Sequence, residues 1–227
     1  MIPELDLVFN KYERLVEQVD SVFEKVRQQY PDCVACKLEC ADCCHALFDL
    51  SLVEALYINR HFLKEVADQR KIEILDLANV ADRTIYRMKR KAFKAVQSGE
   101  KSEEQVLLEM AAERVRCPLL NDDNRCELYD SRPVTCRIYG VPTSIGGRGH
   151  TCGLSGFKEG ESYPTVNLDS INAKLHELSQ EIVGVLESKH AKMGDVLMPL
   201  SMALITVFDD DYLGIQKGEK KPMHGQE

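Results

Sequence analysis

The sequence predicts a mainly α fold, a helical bundle carrying an irregular cysteine-rich loop region. Three observations predict it. Long stretches place apolar residues three and four apart, the period of one helix face. Two S-x-x-[EQ] boxes, Ser51 with Glu54 and Ser102 with Gln105, mark helix starts. Between residues 117 and 164 the helical period vanishes, and seven of the 13 glycines crowd in with four prolines and four of the nine cysteines.

Taken in order, residues 3–30 read as one helix. Leu5, Val8, Phe9, Tyr12, Leu15, Val16, Val19, Val22, Phe23 and Val26 line one face, and Pro31 stops it. Residues 33–44 hold five cysteines in twelve positions, too crowded for a regular element. From Ser51 helical sequence runs to about Ser98, breaks at Ser98-Gly99, and resumes from Ser102 to about Arg116. That span is too long for one ordinary helix and predicts two or three antiparallel helices. Residues 117–164 read as loop and turn, with a short hairpin about Asn121–Asn124. Asp169 or Ser170 caps a further helix to about Ser188. The apolar segment Val196–Phe208 fits helix or strand. The expected organisation is an N-terminal helix (1–32), a cysteine-cluster metal-binding domain (33–164), a C-terminal helical segment (165–216) and a disordered polar tail (217–227).

Composition narrows the function classes. With 44% hydrophobic and 29% charged residues, the 227-residue chain can bury a core. A net charge of −8 argues against a general nucleic-acid role, which calls for a basic excess. No apolar run approaches the roughly 18–20 residues of a membrane span, and Met1–Asn10 lacks the basic start and apolar stretch of a secretory signal. The expected address is the cytoplasm, with no membrane association. Nine cysteines, an odd number in a reducing compartment, point away from disulfides and toward metal or redox chemistry.

The cysteines fall in two blocks, Cys33-x2-Cys36-x3-Cys40-x2-Cys43-Cys44 and Cys117-x8-Cys126-x9-Cys136-x15-Cys152, separated by 72 residues. Thiolates bind soft metals, and spacings of two or three let neighbouring sulfurs converge. A bundle that returns the chain would bring the blocks together, so a metal would staple the loop region and couple binding to folding. Cys43 and Cys44 are adjacent, and consecutive side chains point apart. Either they serve two centres, or one is a ligand and the other packs. Neither C-x2-C pair is followed by the glycine of a zinc knuckle, and the irregular spacing favours an iron–sulfur cluster over zinc. The spacing Cys36-x3-Cys40-x2-Cys43 matches the cluster motif of radical S-adenosylmethionine enzymes. Its context does not: it follows a helix, and Asp42 stands where those enzymes carry an aromatic residue.

Several residues near the cysteines belong in the same reading. Arg132 and Arg137 belong to an arginine-rich stretch that would offset the negative charge of a thiolate-bound cluster. Tyr129 and Tyr139 would pack over the site and exclude water. His45 and His150 neighbour Cys44 and Cys152 and are either extra ligands or solvent-facing loop residues. Glu54 is explained by its capping box, with a hydrogen bond near the cluster as the alternative. Gly146-Gly147-Arg148-Gly149 reads as a flexible loop that lets Cys152 reach the site. The basic run Arg83–Lys94 is a solvated helix face or a docking surface for an acidic redox or protein partner.

The motifs Cys36-x3-Cys40-x2-Cys43-Cys44, Cys117-Pro118-Leu119-Leu120, Cys126-Glu127-Leu128-Tyr129-Asp130-Ser131-Arg132-Pro133 and Cys136-Arg137-Ile138-Tyr139 resemble the CxxCxxCC, or YkgJ-type, family of zinc- or iron-chelating proteins over about residues 33–152. That family usually spaces its first block C-x2-C-x2-C-C. Here one residue is inserted after Cys36, so Cys33 either substitutes for Cys36 or is an extra thiol. The resemblance implies a bound metal and supplies no reaction. A related domain in flagellin lysine methylases adds group transfer as an alternative. The expected metal ligands are Cys36, Cys40, Cys43, Cys44, Cys117, Cys126, Cys136 and Cys152, with Arg132, Arg137 and Tyr129 around the cofactor. The leading expectation is an iron–sulfur protein in electron-transfer, redox or accessory chemistry, set against a zinc-stabilised module without catalysis.

Overall fold

A computed structural model describes residues 3–37 and 39–215. Among them are eight α-helices: α1 (Asp6–Gln29), α2 (Leu52–Glu65), α3 (Asp68–Gln97), α4 (Glu103–Ala112), α5 (Val134–Ile138), α6 (Leu168–Val185), α7 (Leu200–Ile205) and α8 (Asp210–Leu213). Five strands of two or three residues accompany them: β1 (Asp49–Ser51), β2 (Thr143–Ile145), β3 (Arg148–His150), β4 (Val166–Asn167) and β5 (Leu197–Pro199). The fold is mainly α, and among the described residues no helix is long and apolar enough to cross a membrane. The expected tail, 217–227, lies outside the described residues.

Two apolar cores share one helix. Val8, Phe9, Tyr12, Leu15 and Val19 of α1 pack with Leu175 and Ile182 of α6 and Val134 and Ile138 of α5. A second core joins Ile74 and Ala78 of α3, Ala203 and Leu204 of α7, and Leu119 and Leu128 from the loop region. Helix α2 is the common wall. Leu52, Val53 and Leu56 face the first core, and Ala55, Ile58 and Phe62 the second. A helix apolar on two sides cannot sit at a surface, which places α2 at the centre. Its N-terminus is fixed there by β1, which pairs antiparallel with β5.

The start of α2 is a buried capping box. Ser51 donates to the Glu54 carboxylate from its backbone N–H (3.2 Å) and its hydroxyl (2.9 Å), and the Val134 N–H donates to the other Glu54 oxygen at 3.1 Å. Burial pushes the Glu54 carboxyl above its usual range. The same side chain therefore caps α2 and anchors the first turn of α5. The box at Ser102, by contrast, is exposed and serves only α4.

Several sequence expectations need correction. The long helical span does split into three, α2 to α4, but α4 ends at Ala112 rather than near Arg116. Residues 114–117 instead run beside the first cysteine block. Asn167, not Asp169 or Ser170, caps α6 by accepting from the Ser170 N–H, and the helix ends at Val185. The segment 196–208 is both strand and helix, β5 then α7. The region 117–164 contains the expected turn at 121–124, where Leu120 bridges Cys126, but it also carries α5 and part of a sheet ordered β3-β2-β4. Gly146 and Gly147, with φ of 56° and 76°, form the tight turn between β2 and β3 and are not a free loop. Two successive left-handed residues are what a two-residue hairpin demands, and glycine adopts them without a Cβ clash.

The two capping boxes predict unequal costs. Glu54→Ala leaves three buried donors without an acceptor and should destabilise the fold by about 2–4 kcal/mol. Ser102→Ala, at an exposed cap, should cost about 1 kcal/mol or less. Urea unfolding followed by circular dichroism checks both, and equal losses would remove Glu54 from its central position.

Candidate metal centre

The two cysteine blocks meet through backbone pairing. After the turn closed by Cys40 N–H to Lys37 O (2.9 Å), residues Cys43–His45 form a 3-10 turn. The returning strand-like segment then lies antiparallel to it. Ala46 bridges Arg114, Val115 N–H donates to His45 O (3.0 Å), and Cys117 N–H donates to Cys44 O (2.7 Å). Beyond Cys117 the chain folds back as a hairpin, with Glu127 N–H on Leu119 O (2.8 Å) and Asn121 N–H on Arg125 O (2.9 Å). Asn124 takes the left-handed position of this turn, at φ 57°. That hairpin returns Cys126 toward Cys117. Cys136 is carried by α5, held by Glu54. Cys152 follows β3, and its sulfur accepts from the Leu154 N–H at 3.4 Å.

These elements surround one cavity of about 600 Å³. Its walls include Cys36, Cys40, Cys43, Cys44, Cys117, Cys126, Cys136 and Cys152, together with Arg132, Arg137, Tyr129 and Tyr139. Cys33 is not among them; it packs against the first core, where its carbonyl accepts from the Gly156 N–H at 2.8 Å. All nine cysteines are free thiols. They are arranged around the cavity rather than around a point: among the described residues, no three His, Cys, Asp or Glu side chains are set to close on a single ion. Gly140 sits against Cys36, and a Cβ there would lie 2.1 Å from the Cys36 sulfur.

Burial and crowding dominate the electrostatics. Burial, then repulsion from Cys40, Cys152 and Cys43, pushes the Cys36 thiol up to about 12. Burial also raises Cys117 to about 12 and Cys126 to about 11, and lifts Cys152. Cys43 goes the other way, well below the usual thiol range, because Cys136 and Cys44 donate to its sulfur; those two donors are raised in consequence. The cavity thus lowers Cys43 at the expense of Cys44 and Cys136, and burial disfavours ionisation of Cys36, Cys117 and Cys126. A soft cation would displace the thiol protons, since metals bind the thiolate.

The basic side chains differ in role. The Arg132 guanidinium stacks on the Tyr129 ring, 3.8 Å from its centroid, and its Nε is buried without a hydrogen-bond partner. An orphaned N–H on a cation beside eight thiols suits an anionic, thiolate-bound centre. Arg137 is already committed. It pairs with Asp20 at 2.7 Å and donates to the carbonyls of Arg132 and Asp130, tying α5 to α1. His45 turns its Nδ1 to the Ala41 carbonyl at 3.0 Å, and His150 is exposed on β3; neither lines this cavity. In the sequence Asp42 serves only to set aside the radical-enzyme motif, and nothing there gives it a place in the site. Its carboxylate accepts from the Cys152 thiol at 3.2 Å and pairs with Arg114, which also donates to the Tyr139 hydroxyl at 3.2 Å. No local pattern announces that constellation, because its four members lie on four separate segments.

On α3, Ala81 and Ile85 reach the cavity wall while Arg83, Arg87, Arg90, Lys91 and Lys94 are exposed on the outer side. Among the described residues none of these five has an ion-pair partner, whereas Lys89 is held by Asp49 at 2.6 Å.

Comparison with known proteins adds one match. No curated protein and no solved structure matches the chain. A family model does, over residues 35–153, just over half of the 227 residues, and its description is "CxxCxxCC: Putative zinc- or iron-chelating domain". The matched span runs from just before Cys36 to just after Cys152 and so takes in every cysteine of the cavity wall. This metal-binding cysteine cluster is one built for zinc or iron, and the chain belongs to the CxxCxxCC family.

Proposed function

We propose that the cavity holds an iron–sulfur cluster and that the protein serves electron transfer or redox accessory chemistry. The observation that carries this reading is the count of thiols around one space: eight cysteines line a cavity of about 600 Å³. A single tetrahedral zinc uses four donors at about 2.3 Å and needs neither the number nor the room. Cys36, Cys40, Cys43, Cys44, Cys117, Cys126, Cys136 and Cys152 are the candidate ligands. A cluster bound there would supply one-electron chemistry, and Arg132 would offset its negative charge. The protein's own part is to exclude water with Tyr129 and Tyr139 and to hold the thiols with α5, the 120–126 hairpin and the Cys44–Cys117 pairing.

The outer face of α3 supports an acidic redox protein as partner. Five unpaired cations on a chain of net charge −8 form a local field of opposite sign. Opposite charge speeds encounter. The inner face of the same helix touches the cavity, so a docked partner would stand about one helix diameter, ~10 Å, from the centre.

Iron and acid-labile sulfide measured on protein purified without oxygen decide the cofactor. About four of each per chain is the expected result; zinc without sulfide would overturn it. Cys126→Ser and Cys136→Ser should each lose most of the metal, while Cys33→Ser keeps it. Gly140→Ala, which drives a methyl into Cys36, should weaken metal binding by about 10–100-fold. Unchanged metal in both serine variants would sink the ligand set. For the docking face, Arg87→Glu and Lys94→Glu should each slow electron exchange with an acidic carrier protein by about 3–10-fold at low salt. A rate indifferent to both substitutions and to ionic strength would remove α3 from the interface.

A further inference from the structure

A second cavity, of about 1010 Å³, lies beside the first. It is lined by residues of β1, α2, α3, α4, α5, the β2–β3 hairpin, α6 and β5. The two cavities share Ala46, Leu47, Phe48, Ile85, Tyr139 and Cys152, so the Cys152 and Tyr139 side chains stand at the partition between them. Small-molecule sites occupy about 300–1,000 Å³, are mostly apolar, and carry a few polar groups for orientation. This chamber has that character. Ile138, Ile145, Ile171 and Leu175 form apolar wall from three elements, and Leu107 and Met110 of α4 complete it.

Helix α4 is the informative wall. None of its residues is buried, and Leu107 is 69% exposed. Leu107, Met110 and Ala111 border the chamber, and no α4 residue belongs to either apolar core. The helix is held across the opening by Arg148 of the hairpin, which pairs with Glu104 at 2.5 Å. A ligand in the chamber would supply the apolar contact that α4 lacks.

The charges restrict what that ligand can be. Lys89 is the one lysine or arginine on the wall, and Asp49 neutralises it at 2.6 Å. Glu54 is consumed by Ser51 and Val134. The side chains of Thr135, Thr151 and Asn172 have no hydrogen-bond partner among the described residues. His176 faces Asp195 at 3.8 Å, and His150 is the other imidazole on the wall. Every other charged wall residue is committed to a partner, so the chamber offers mainly apolar surface and neutral hydrogen-bonding groups, with no uncommitted lysine or arginine for a phosphate or carboxylate. Burying an unpaired ionised group there would cost far more than burying a hydroxyl or carbonyl.

We propose that this chamber binds an uncharged, mainly apolar molecule bearing carbonyl or hydroxyl groups, seated against Cys152 and Tyr139 at the edge of the cysteine cavity. Binding rests on the chamber alone and stands whichever metal the neighbouring cavity takes.

Nile red, an uncharged carbonyl-bearing dye that brightens in apolar surroundings, is the probe, titrated into the full-length protein as purified. The expected result is saturable binding of one dye per chain. 1-Decanol should displace it at least about tenfold better than decyl phosphate, which has the same chain and a charged head. Leu107→Glu and Met110→Glu should each weaken dye binding by about tenfold or more. Circular dichroism should be unchanged in both, since no α4 side chain belongs to either apolar core, and metal content on the same samples should match wild type. Absence of saturable binding, equal displacement by the two competitors, or wild-type affinity in both variants would each overturn the proposal. Because metal is measured separately, a missing metal and an empty chamber give different results.

Discussion

The architecture around the cysteines depends on a short antiparallel pairing, Cys44–Ala46 against Arg114–Cys117. Sixty-seven residues separate these strands of chain, and most of them are spent on α2, α3 and α4. Two backbone hydrogen bonds, Val115 to His45 and Cys117 to Cys44, close that loop. Net stabilisation from a backbone pair is modest, about 0.5–1.5 kcal/mol each. The pairing therefore persists because α2 and α3 are already packed against α7 and present their ends at fixed places. Secondary structure sets the position, and the hydrogen bonds set the register that faces Cys44 and Cys117 toward one space.

Holding so many thiols together has an electrostatic cost that the surroundings moderate. Ionising several of them in one buried cavity is opposed by desolvation and by mutual repulsion, which is why Cys36, Cys117 and Cys126 lie far above the ordinary thiol range. A bound cation reverses that balance, so metal binding and ordering of the loop region become one equilibrium. The division of labour among the arginines follows. Arg137 spends its donors on α1 and the loop carbonyls and so builds the wall. Arg132 keeps a buried N–H uncommitted and so remains able to answer negative charge inside it.

The helices were legible because each states its own face and ends. The spacing of Val8, Tyr12, Leu15 and Val19 gives α1, and Ser51 with Glu54 gives the start of α2. The cavity wall was legible for another reason: cysteine has few structural excuses for clustering, so the second block could be matched to the first without knowing the path between them. The strands escaped because two or three residues cannot display an alternating pattern. Helix α5 escaped because its five residues make little more than one turn, and its stabilising acceptor, Glu54, lies 80 residues earlier. Asp42 and Arg114 escaped for the same reason, since a pair 72 residues apart leaves no local signature. The second chamber is invisible in sequence because its walls come from elements scattered from β1 to β5 and share no motif.

The position of Cys33 shows how an irregular spacing is absorbed. Family spacing would leave two residues between the first cysteine and the second, and here either Cys33 or Cys36 could take the first place. Gly140 favours Cys36: the absence of a side chain there leaves the space that the Cys36 sulfur fills, whereas any Cβ would meet it at 2.1 Å. Cys33 is held on the other side, where Gly156 packs so closely that an added Cβ would lie 3.1 Å from the Cys33 Cα. Two glycines in the second block thus match two cysteines in the first, one by admitting a thiol to the cavity wall and the other by pinning the backbone outside it. The extra residue between Cys36 and Cys40 falls in the turn that Cys40 N–H closes on Lys37 O, one turn before the 3-10 turn that begins at Cys43.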